Sequence, residues 1–66
     1  MIGKMLKMER LNAEVSQKEM AARYGTTPQN ILNIEKAKSL STKLISKYLD
    51  CLGKRFEIVI VDKEKP

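Results

Sequence analysis

The sequence predicts a mainly α fold, a bundle of about four short helices followed by one β-strand. Apolar residues recur at helical spacing as far as Leu52, and cap residues and glycines divide this part into separate helices. After Arg55 the pattern changes to a run rich in β-branched residues, which is typical of a strand. With 66 residues the chain is one small domain with limited apolar surface to bury, so dimerisation is a reasonable source of stability.

The composition excludes several classes of function. One cysteine and no histidine rule out intramolecular disulfides, Cys/His zinc sites and histidine-based triads, and Cys51 is interpreted as a packing residue. No Gly-rich phosphate loop is found, so neither enzymatic activity nor a cofactor or metal is expected. An excess of 13 Lys and Arg over 8 Asp and Glu, a net charge of +5, favours a polyanionic partner.

The apolar segments also bear on the cellular location. No run approaches the roughly 20 apolar residues of a membrane span, and the N-terminus lacks a secretory h-region. No helix combines a broad apolar face with a strongly basic one, which disfavours binding to a membrane surface. A cytoplasmic protein is therefore expected.

The first helix is predicted from Ile2 to about Asn12. Its apolar side is predicted to comprise Ile2, Met5, Leu6 and, as a further candidate, Leu11. Arg10 lies near this side, where a charged group requires a partner.

Residues 16–36 predict two short helices joined by a tight turn. An S-x-x-E capping box opens the first helix at Ser16, and Gly25 can end it in the left-handed conformation. Thr27 is the predicted N-cap of the next helix, with Pro28 at its first position. A helix, a glycine turn and a second helix within about twenty residues form the helix-turn-helix arrangement.

A further helix is predicted to begin at Ser41 or Thr42 and to end at Gly53. Its inward face is predicted to comprise Leu44, Ile45, Tyr48, Leu49 and Leu52. Three units follow from this division: a helical domain over 1–53, a strand segment over 54–62 and a charged tail over 63–66.

The strand segment contains FEIVIV at residues 56–61, and both of its faces are largely apolar. Because the chain contains no other convincing strand, the pairing partner must come from elsewhere. The simplest supplier is the same segment of a second copy, paired antiparallel about a two-fold axis. The alternatives are an exposed edge that would aggregate, or addition to the sheet of a different protein. The dimerisation residues are thus predicted to be Phe56, Ile58, Val59, Ile60 and Val61.

The stretch QKEMAARYGTTPQNILNIEK resembles the helix-turn-helix of the Cro/C1-type (XRE) transcriptional regulators, the family of the lambdoid phage repressors. The resemblance runs from about Leu6 to Leu52 and includes Gln17, Glu19, Ala21, Gly25, Thr27, Ile31, Ile34 and Glu35. It implies a lambda-repressor-like bundle. That family ordinarily continues into a fifth helix, whereas here FEIVIV follows, similar to the HipB-like antitoxin regulators, whose C-terminal strands pair across the dimer.

The resemblance implies that the second helix of the motif reads DNA bases in the major groove. Gln29 and Asn33 share a face, and each amide can both donate and accept hydrogen bonds; the alternative is an ordinary solvated face. Leu32 could contact a thymine methyl group or pack on the core against Tyr48. Pro28 stands where the family often has a base-contacting glutamine, so one contact to a base is lost.

Contacts to the DNA backbone are expected around the same helices. Gln17 resembles the family's phosphate-contacting glutamine, at a helix N-terminus that gathers free amides. Further phosphate contacts are expected from Thr27, Asn30, Lys36, Lys38 and Lys43, although each lysine alone could be a solvated surface charge. In this family an arginine of the first helix commonly pairs with the glutamate ending the reading helix, which implies a structural ion pair between Arg10 and Glu35.

Together these features predict a homodimeric, sequence-specific regulator that binds double-stranded DNA at a near-palindromic operator and acts as a repressor. The alternative is an antitoxin that neutralises a partner toxin and also represses their shared operon. A third possibility is an interaction module that adds its strand to another protein's sheet.

Overall fold

A computed structural model describes residues 1–64 and contains, in that range, four helices and no strand. The helices are α1 (Ile2–Asn12), α2 (Gln17–Tyr24), α3 (Pro28–Lys36) and α4 (Thr42–Asp50). Both α1 and α2 pack against α3, and α1 also packs against α4. The predicted mainly α bundle is therefore confirmed, while residues 65 and 66 of the predicted charged tail lie outside the described residues.

Three helices begin at cap residues recognised in the sequence. The hydroxyl groups of Ser16, Thr27 and Ser41 each accept a hydrogen bond from the backbone N–H three residues on, at 3.0, 3.2 and 3.2 Å. Each bond satisfies an N–H group that has no partner within its helix. Gly25, at φ 84°, ends α2, and the N–H of the next residue donates to the Ala21 carbonyl at 2.9 Å. Local chemistry therefore sets the ends of both helices of the motif.

Helix α4 ends at Asp50, earlier than the predicted end at Gly53. The Lys54 N–H donates to the Leu49 carbonyl at 2.9 Å, and the Gly53 N–H donates to the Asp50 carbonyl at 3.0 Å. These two bonds and the positive φ of Gly53 (71°) form a Schellman motif. The glycine thus closes the helix as predicted, but Leu52 lies in the closing turn rather than in α4.

All four helices contribute to one core. Tyr48 and Met20 are among its largest fully buried side chains. The other buried apolar residues are Leu6, Val15, Ala21, Ile31, Ile34, Ile45 and Leu49. Cys51 is half-buried and packs on this core, and burial raises the pKa of its thiol.

The inward face of α1 differs from the predicted one. Met5 and Leu11 are each 49% exposed, so their predicted places on the buried side are wrong. The buried positions are Gly3, Leu6 and Arg10, a stripe at i, i+3 and i+7. The prediction was right for Leu6, which is buried, and for Ile2, which packs on the core, but it missed Gly3 and Arg10, which take two of the three buried positions.

Gly3 brings α1 close to the end of α3. Its backbone N–H donates to the Ala37 carbonyl oxygen at 3.2 Å. A Cβ atom at this position would lie 2.6 Å from the Ile34 carbonyl oxygen and 2.7 Å from that of Ala37. Only glycine allows this approach without a shift of one helix.

Replacing Gly3 by alanine is expected to lower the free energy of unfolding by about 1–3 kcal/mol, the usual cost of overpacking. The added methyl group meets backbone oxygens that cannot rotate away, and this outweighs alanine's helix preference of about 1 kcal/mol. Urea denaturation of Gly3→Ala beside Lys4→Ala, an exposed control on the same turn, measures the effect. Equal stability of the two variants would contradict this expectation, because it would mean that α1 shifts to admit the methyl group at no cost in stability.

The chain after Lys54 forms neither helix nor strand within the described residues. Phe56 is half-buried and packs on the core, whereas Ile58, Val59, Ile60 and Val61 are 67%, 74%, 92% and 79% exposed. A strand needs a neighbour for its backbone groups, and residues 1–64 of a single copy provide none. The predicted strand is thus not formed in the single chain, and its pairing across a dimer stays a prediction.

Candidate functional site

The exposed face of α3 carries a bonded pair of amides. Gln29 and Asn33 are one turn apart and exposed, and the Gln29 Nε2 donates to the Asn33 Oδ1 at 3.1 Å. The bond fixes the two side chains relative to each other. It leaves the Gln29 carbonyl oxygen as an acceptor and the Asn33 amino group as a donor for a ligand. The two predicted base-reading amides therefore form one polar unit.

Two other predicted base-reading residues lie on the same helix. Pro28, at the first position of α3, is exposed and has no side-chain hydrogen-bonding group. Leu32 is half-buried and lies outside the set of partly buried side chains that pack on the core. That position disfavours the interpretation of Leu32 as a core residue packed against Tyr48, and leaves an apolar group near the amide pair.

The turn before α3 is held by side-chain hydrogen bonds. Thr27 caps the helix through the Asn30 N–H, and the Asn30 Nδ2 donates to the Thr26 Oγ1 at 3.0 Å. Thr27 and Asn30, predicted to contact phosphate, thus stiffen the N-terminus of α3 in the free protein. The contribution of Thr26 was missed from the sequence, although a hydroxyl four residues before an asparagine is a usable signal.

Three exposed lysines surround the connection between α3 and α4. Lys36 lies in the last turn of α3, Lys38 in the connection and Lys43 in the first turn of α4. Their ammonium groups face solvent, so this edge of the domain carries positive charge. The predicted dimerisation residues lie separately, in the C-terminal segment.

Beneath the exposed face, the Glu35 carboxylate joins all four helices. Arg10 of α1 donates through Nε to Oε2 at 2.7 Å and through a second nitrogen to Oε1 at 3.1 Å. The Gln17 Nε2 of α2 donates to Oε1 at 3.4 Å, and the Tyr48 hydroxyl of α4 donates to Oε2. Arg10 also donates to the Val15 carbonyl oxygen at 2.8 Å. The structure thus places Arg10 and Glu35 together, as the family resemblance implied.

These groups are deeply buried, since Arg10, Glu35 and Tyr48 are 4%, 5% and 0% exposed. Burial alone raises the pKa of Glu35, but hydrogen bonds from Arg10, Tyr48 and Gln17 lower it below the ordinary value of 4.5. The bond to Glu35 raises the pKa of Arg10. Burial and the same carboxylate raise the pKa of Tyr48 above its ordinary 10.0. The carboxylate is therefore held ionised and the phenol neutral.

The network predicts a loss of stability at both extremes of pH. Because the folded pKa of Glu35 is lowered, its contribution is present above pH 4.5 and is lost as the pH falls through the folded pKa. Because the folded pKa of Tyr48 is raised, the unfolded chain loses the phenolic proton first, and stability declines above pH 10.0. Chemical denaturation at a series of pH values measures the free energy of unfolding along the acid limb and the alkaline limb of this profile. Tyr48→Phe should flatten the alkaline limb, and an unchanged alkaline limb in this variant would contradict the assignment.

Tyr48 is the member of the network that the sequence did not identify as polar. It occupies a predicted inward position of α4, which suggested packing only. A fully buried tyrosine, however, usually needs a partner for its hydroxyl, and this rule is the signal that could have found it. No buried side-chain nitrogen or oxygen lacks a partner in the part of the chain that the structure describes.

A family model described as helix-turn-helix matches residues 6–59, which is well over half of the chain. The match includes α2, α3 and α4 and most of α1. The searches of curated proteins and of solved structures gave no match. Among residues 1–64, no helix is long and apolar enough to cross a membrane, and no group of three or more His, Cys, Asp or Glu residues could hold a metal ion.

Proposed function

Since the chain belongs to the Cro/C1-type (XRE) helix-turn-helix family of DNA-binding transcription regulators, we propose that it binds a near-palindromic operator as a homodimer and represses transcription. In this proposal α3 lies in the major groove of B-DNA, which admits one α-helix. The observation that carries it is the Gln29–Asn33 amide pair, exposed on a helix that the buried carboxylate of Glu35 fastens to the rest of the fold.

The free groups of the amide pair match the chemistry of base edges. Adenine presents an acceptor, N7, beside a donor, its N6 amino group, in the major groove. The Asn33 amino group and the Gln29 carbonyl oxygen supply the complementary donor and acceptor. Leu32 adds an apolar group suited to a thymine methyl, whereas Pro28 offers no polar contact.

Backbone contacts would fix the register of α3 on the duplex. Gln17 stands at the first position of α2, where backbone N–H groups and the helix dipole favour a phosphate. Its side chain is held by Glu35, so the amide is positioned before DNA arrives. In the proposal Thr27 and Asn30 orient the amides at the start of α3, and Lys36, Lys38 and Lys43 add charge contacts.

Two copies are needed for tight and specific binding. One module of this size offers too small an interface, and a dimer can place two reading helices about 34 Å apart, one turn of DNA. The exposed apolar segment Ile58–Val61 supports dimerisation, because burying it would remove four large apolar side chains from water. In this proposal the segment raises DNA affinity without contacting DNA.

Selection of bound duplexes from a random pool tests the proposal. A consensus with two-fold symmetry and half-sites about one helical turn apart is the expected result. Recovery without sequence preference would reduce the activity to nonspecific binding. Enrichment of a single half-site without symmetry would support base reading but contradict binding as a dimer.

Substitutions on α3 should separate base reading from phosphate binding. We expect Gln29→Ala to weaken binding to the selected operator by about 1–3 kcal/mol and to relax the preference at one position of each half-site. Lys38→Ala should weaken binding to all sequences alike and reduce the slope of log affinity against log salt by about 1 per site. Repeating the selection with each variant measures both effects. An unchanged consensus with Gln29→Ala would exclude this residue from base reading.

The same exposed segment keeps one alternative open, an antitoxin that binds a partner toxin and also represses their operon. The observation that favours it is the apolar surface of Ile58–Val61, which a different protein could cover. Co-expression with the product of an adjacent small gene distinguishes the two. A stoichiometric complex with that product would support the antitoxin, whereas a homodimer alone would support the repressor.

A further inference from the structure

We propose that the groove between α1 and the end of α4 is the docking site for the C-terminal segment of a second copy of this chain. This α1–α4 groove is lined by Met5, Leu6, Glu9, Leu49, Lys54 and Arg55. The inference rests on the homodimer of the proposed function and adds to it a contact between helices and segment. The α1–α4 groove would be the surface that receives the exposed apolar side chains of the partner's C-terminal segment.

The groove has the size and chemistry of a site for an aliphatic side chain. Its volume is about 190 Å³, compared with the roughly 150 Å³ of an apolar cavity that holds benzene. Met5, Leu6 and Leu49 form apolar walls, and Met5 remains 49% exposed. At the rim the Lys54 Nζ lies 3.3 Å from the Glu9 Oε1. An apolar floor with a charged rim fits an apolar segment that ends in charged residues.

The chain's own segment cannot readily fill this groove. Lys54 and Arg55 already line its end, and after Phe56, which packs on the core, residues 57–61 are exposed. Folding back would require a tight turn, and the residues from 55 to 61 include no Gly, Pro, Asn, Asp or Ser. The aliphatic residues 58–61 are accordingly 67–92% exposed.

An antiparallel partner segment would return to the groove. In an antiparallel ladder, residues directly opposite each other have side chains on the same face, whereas neighbours along one strand do not. Under exact two-fold symmetry, one residue must therefore lie opposite its own copy. Centring the pair on Ile58 places the partner's Asp62 opposite Lys54, which joins opposite charges. Centring it on Val59 instead places the partner's Lys63 opposite Arg55, and these like charges offset the opposite charges of Lys54 and the partner's Glu64. Of these two registers, charge complementarity favours the one centred on Ile58.

This register selects the side chain that enters the groove. Residues 56, 58 and 60 share one face of a strand, and Phe56 already packs on the core. The partner's Ile60 would lie opposite Phe56 on that face, which it shares with Lys54 of the groove. Ile60 is 92% exposed in the single chain, so it has the most surface to lose of the four aliphatic residues.

The area needed for a stable dimer supports docking beyond strand pairing. The four exposed aliphatic side chains of the segment offer about 300 Å² of apolar surface per copy, taking roughly 60–120 Å² for each fully buried side chain. A standard interface buries about 450 Å² of apolar surface per partner. The segment alone falls short, and the walls of the groove can supply part of the difference.

Disulfide trapping between two differently labelled chains tests the contact. In a Cys51→Ser background, one chain carries Met5→Cys and the other Ile60→Cys, and the two are mixed and mildly oxidised. A covalent heterodimer is expected. Leu11→Cys in place of Met5→Cys is the matched control, because Leu11 is also 49% exposed on α1 but lies about 120° around the helix from Met5. Equal yields of the heterodimer with Met5→Cys and with Leu11→Cys would overturn the proposal.

Sedimentation without cross-linking provides an independent measurement. Met5→Gln should raise the dimer dissociation constant about tenfold, as expected for losing one or two buried methylene contacts, and Leu11→Gln should leave it unchanged. A dimeric wild-type chain that Met5→Gln does not weaken would overturn groove docking alone. A monomeric wild-type chain would overturn both this inference and the homodimer of the proposed function. A chain that carries both Met5→Cys and Ile60→Cys should not form a disulfide within itself, and such a disulfide would overturn groove docking. Cross-linking only to a different protein would overturn it as well.

Discussion

Arg10→Ala is expected to lose folding together with DNA binding. The substitution leaves the Glu35 carboxylate 5% exposed and without its positive partner. Removing one member of a buried ion pair costs about 3–5 kcal/mol, mainly because the other charge stays buried. Small domains have total stabilities near the low end of about 5–15 kcal/mol, so most of the stability would be lost.

Thermal unfolding followed by circular dichroism, together with a DNA titration, measures this effect. Arg23→Ala is the matched control, because Arg23 pairs with Glu19 at the surface, where such pairs contribute about 1 kcal/mol or less. Replacing the network by Arg10→Met, Glu35→Leu and Tyr48→Phe together should recover much of the stability. Normal thermal stability of Arg10→Ala with DNA binding lost would contradict the structural role and indicate a direct contact to DNA.

Truncation after Lys54 is expected to give folded monomers that bind the operator about 10²–10⁴-fold more weakly. The helices should persist, because the bond from the Lys54 N–H to the Leu49 carbonyl that closes α4 is retained. The truncation removes the packing of Phe56 on the core, and with the segment it removes the linkage that makes the second half-site contact intramolecular. Ile58→Pro should act in the same direction, since proline removes a backbone donor from the middle of the segment.

Sedimentation and titration against full and half operators test this expectation. Truncation after Asp62 is the control, because it removes only residues 63–66 and leaves the apolar segment intact. The shorter chain should bind full and half operators with similar affinity. An intact dimer after truncation at Lys54 would remove the C-terminal segment from the interface.

The parts of the fold that could be predicted from sequence depend on neighbouring residues. Ser16, Thr27 and Ser41 cap helices through hydroxyl groups only three residues from their N–H partners. Gly25 and Gly53 close helices through their own positive φ angles. In each case the bond and the residue lie within a few positions of each other, so the pattern alone was sufficient.

The parts that could not be predicted depend on distant neighbours. Gly3 matters because two carbonyl oxygens near the end of α3 lie against it, and nothing near Gly3 in the sequence indicates them. Met5 looked buried because it is apolar, although tertiary packing turns it outward. The partner of Arg10 was implied by family resemblance rather than by the spacing of residues.

In the candidate site, too, the features set by neighbouring residues could be predicted from the sequence, and those set by distant residues could not. The shared face of Gln29 and Asn33 follows from helical spacing, and the structure places their amides in contact. The engagement of Gln17 by Glu35 spans 18 positions and could not be read from local pattern. A strand at residues 56–61 cannot form without a neighbour, so one chain can indicate the preference for a strand but not the pairing.

The position of Glu35 has a consequence for how the domain folds. Its carboxylate accepts bonds from side chains on α1, α2 and α4, so the set is complete only when every helix has docked. Interactions that form after the folding transition state slow unfolding more than they accelerate folding. Detaching α3 alone would break all of them, so we expect local opening of α3 to be rare. In the proposed function, α3 would therefore reach DNA already ordered, and binding would lose little conformational entropy at this helix.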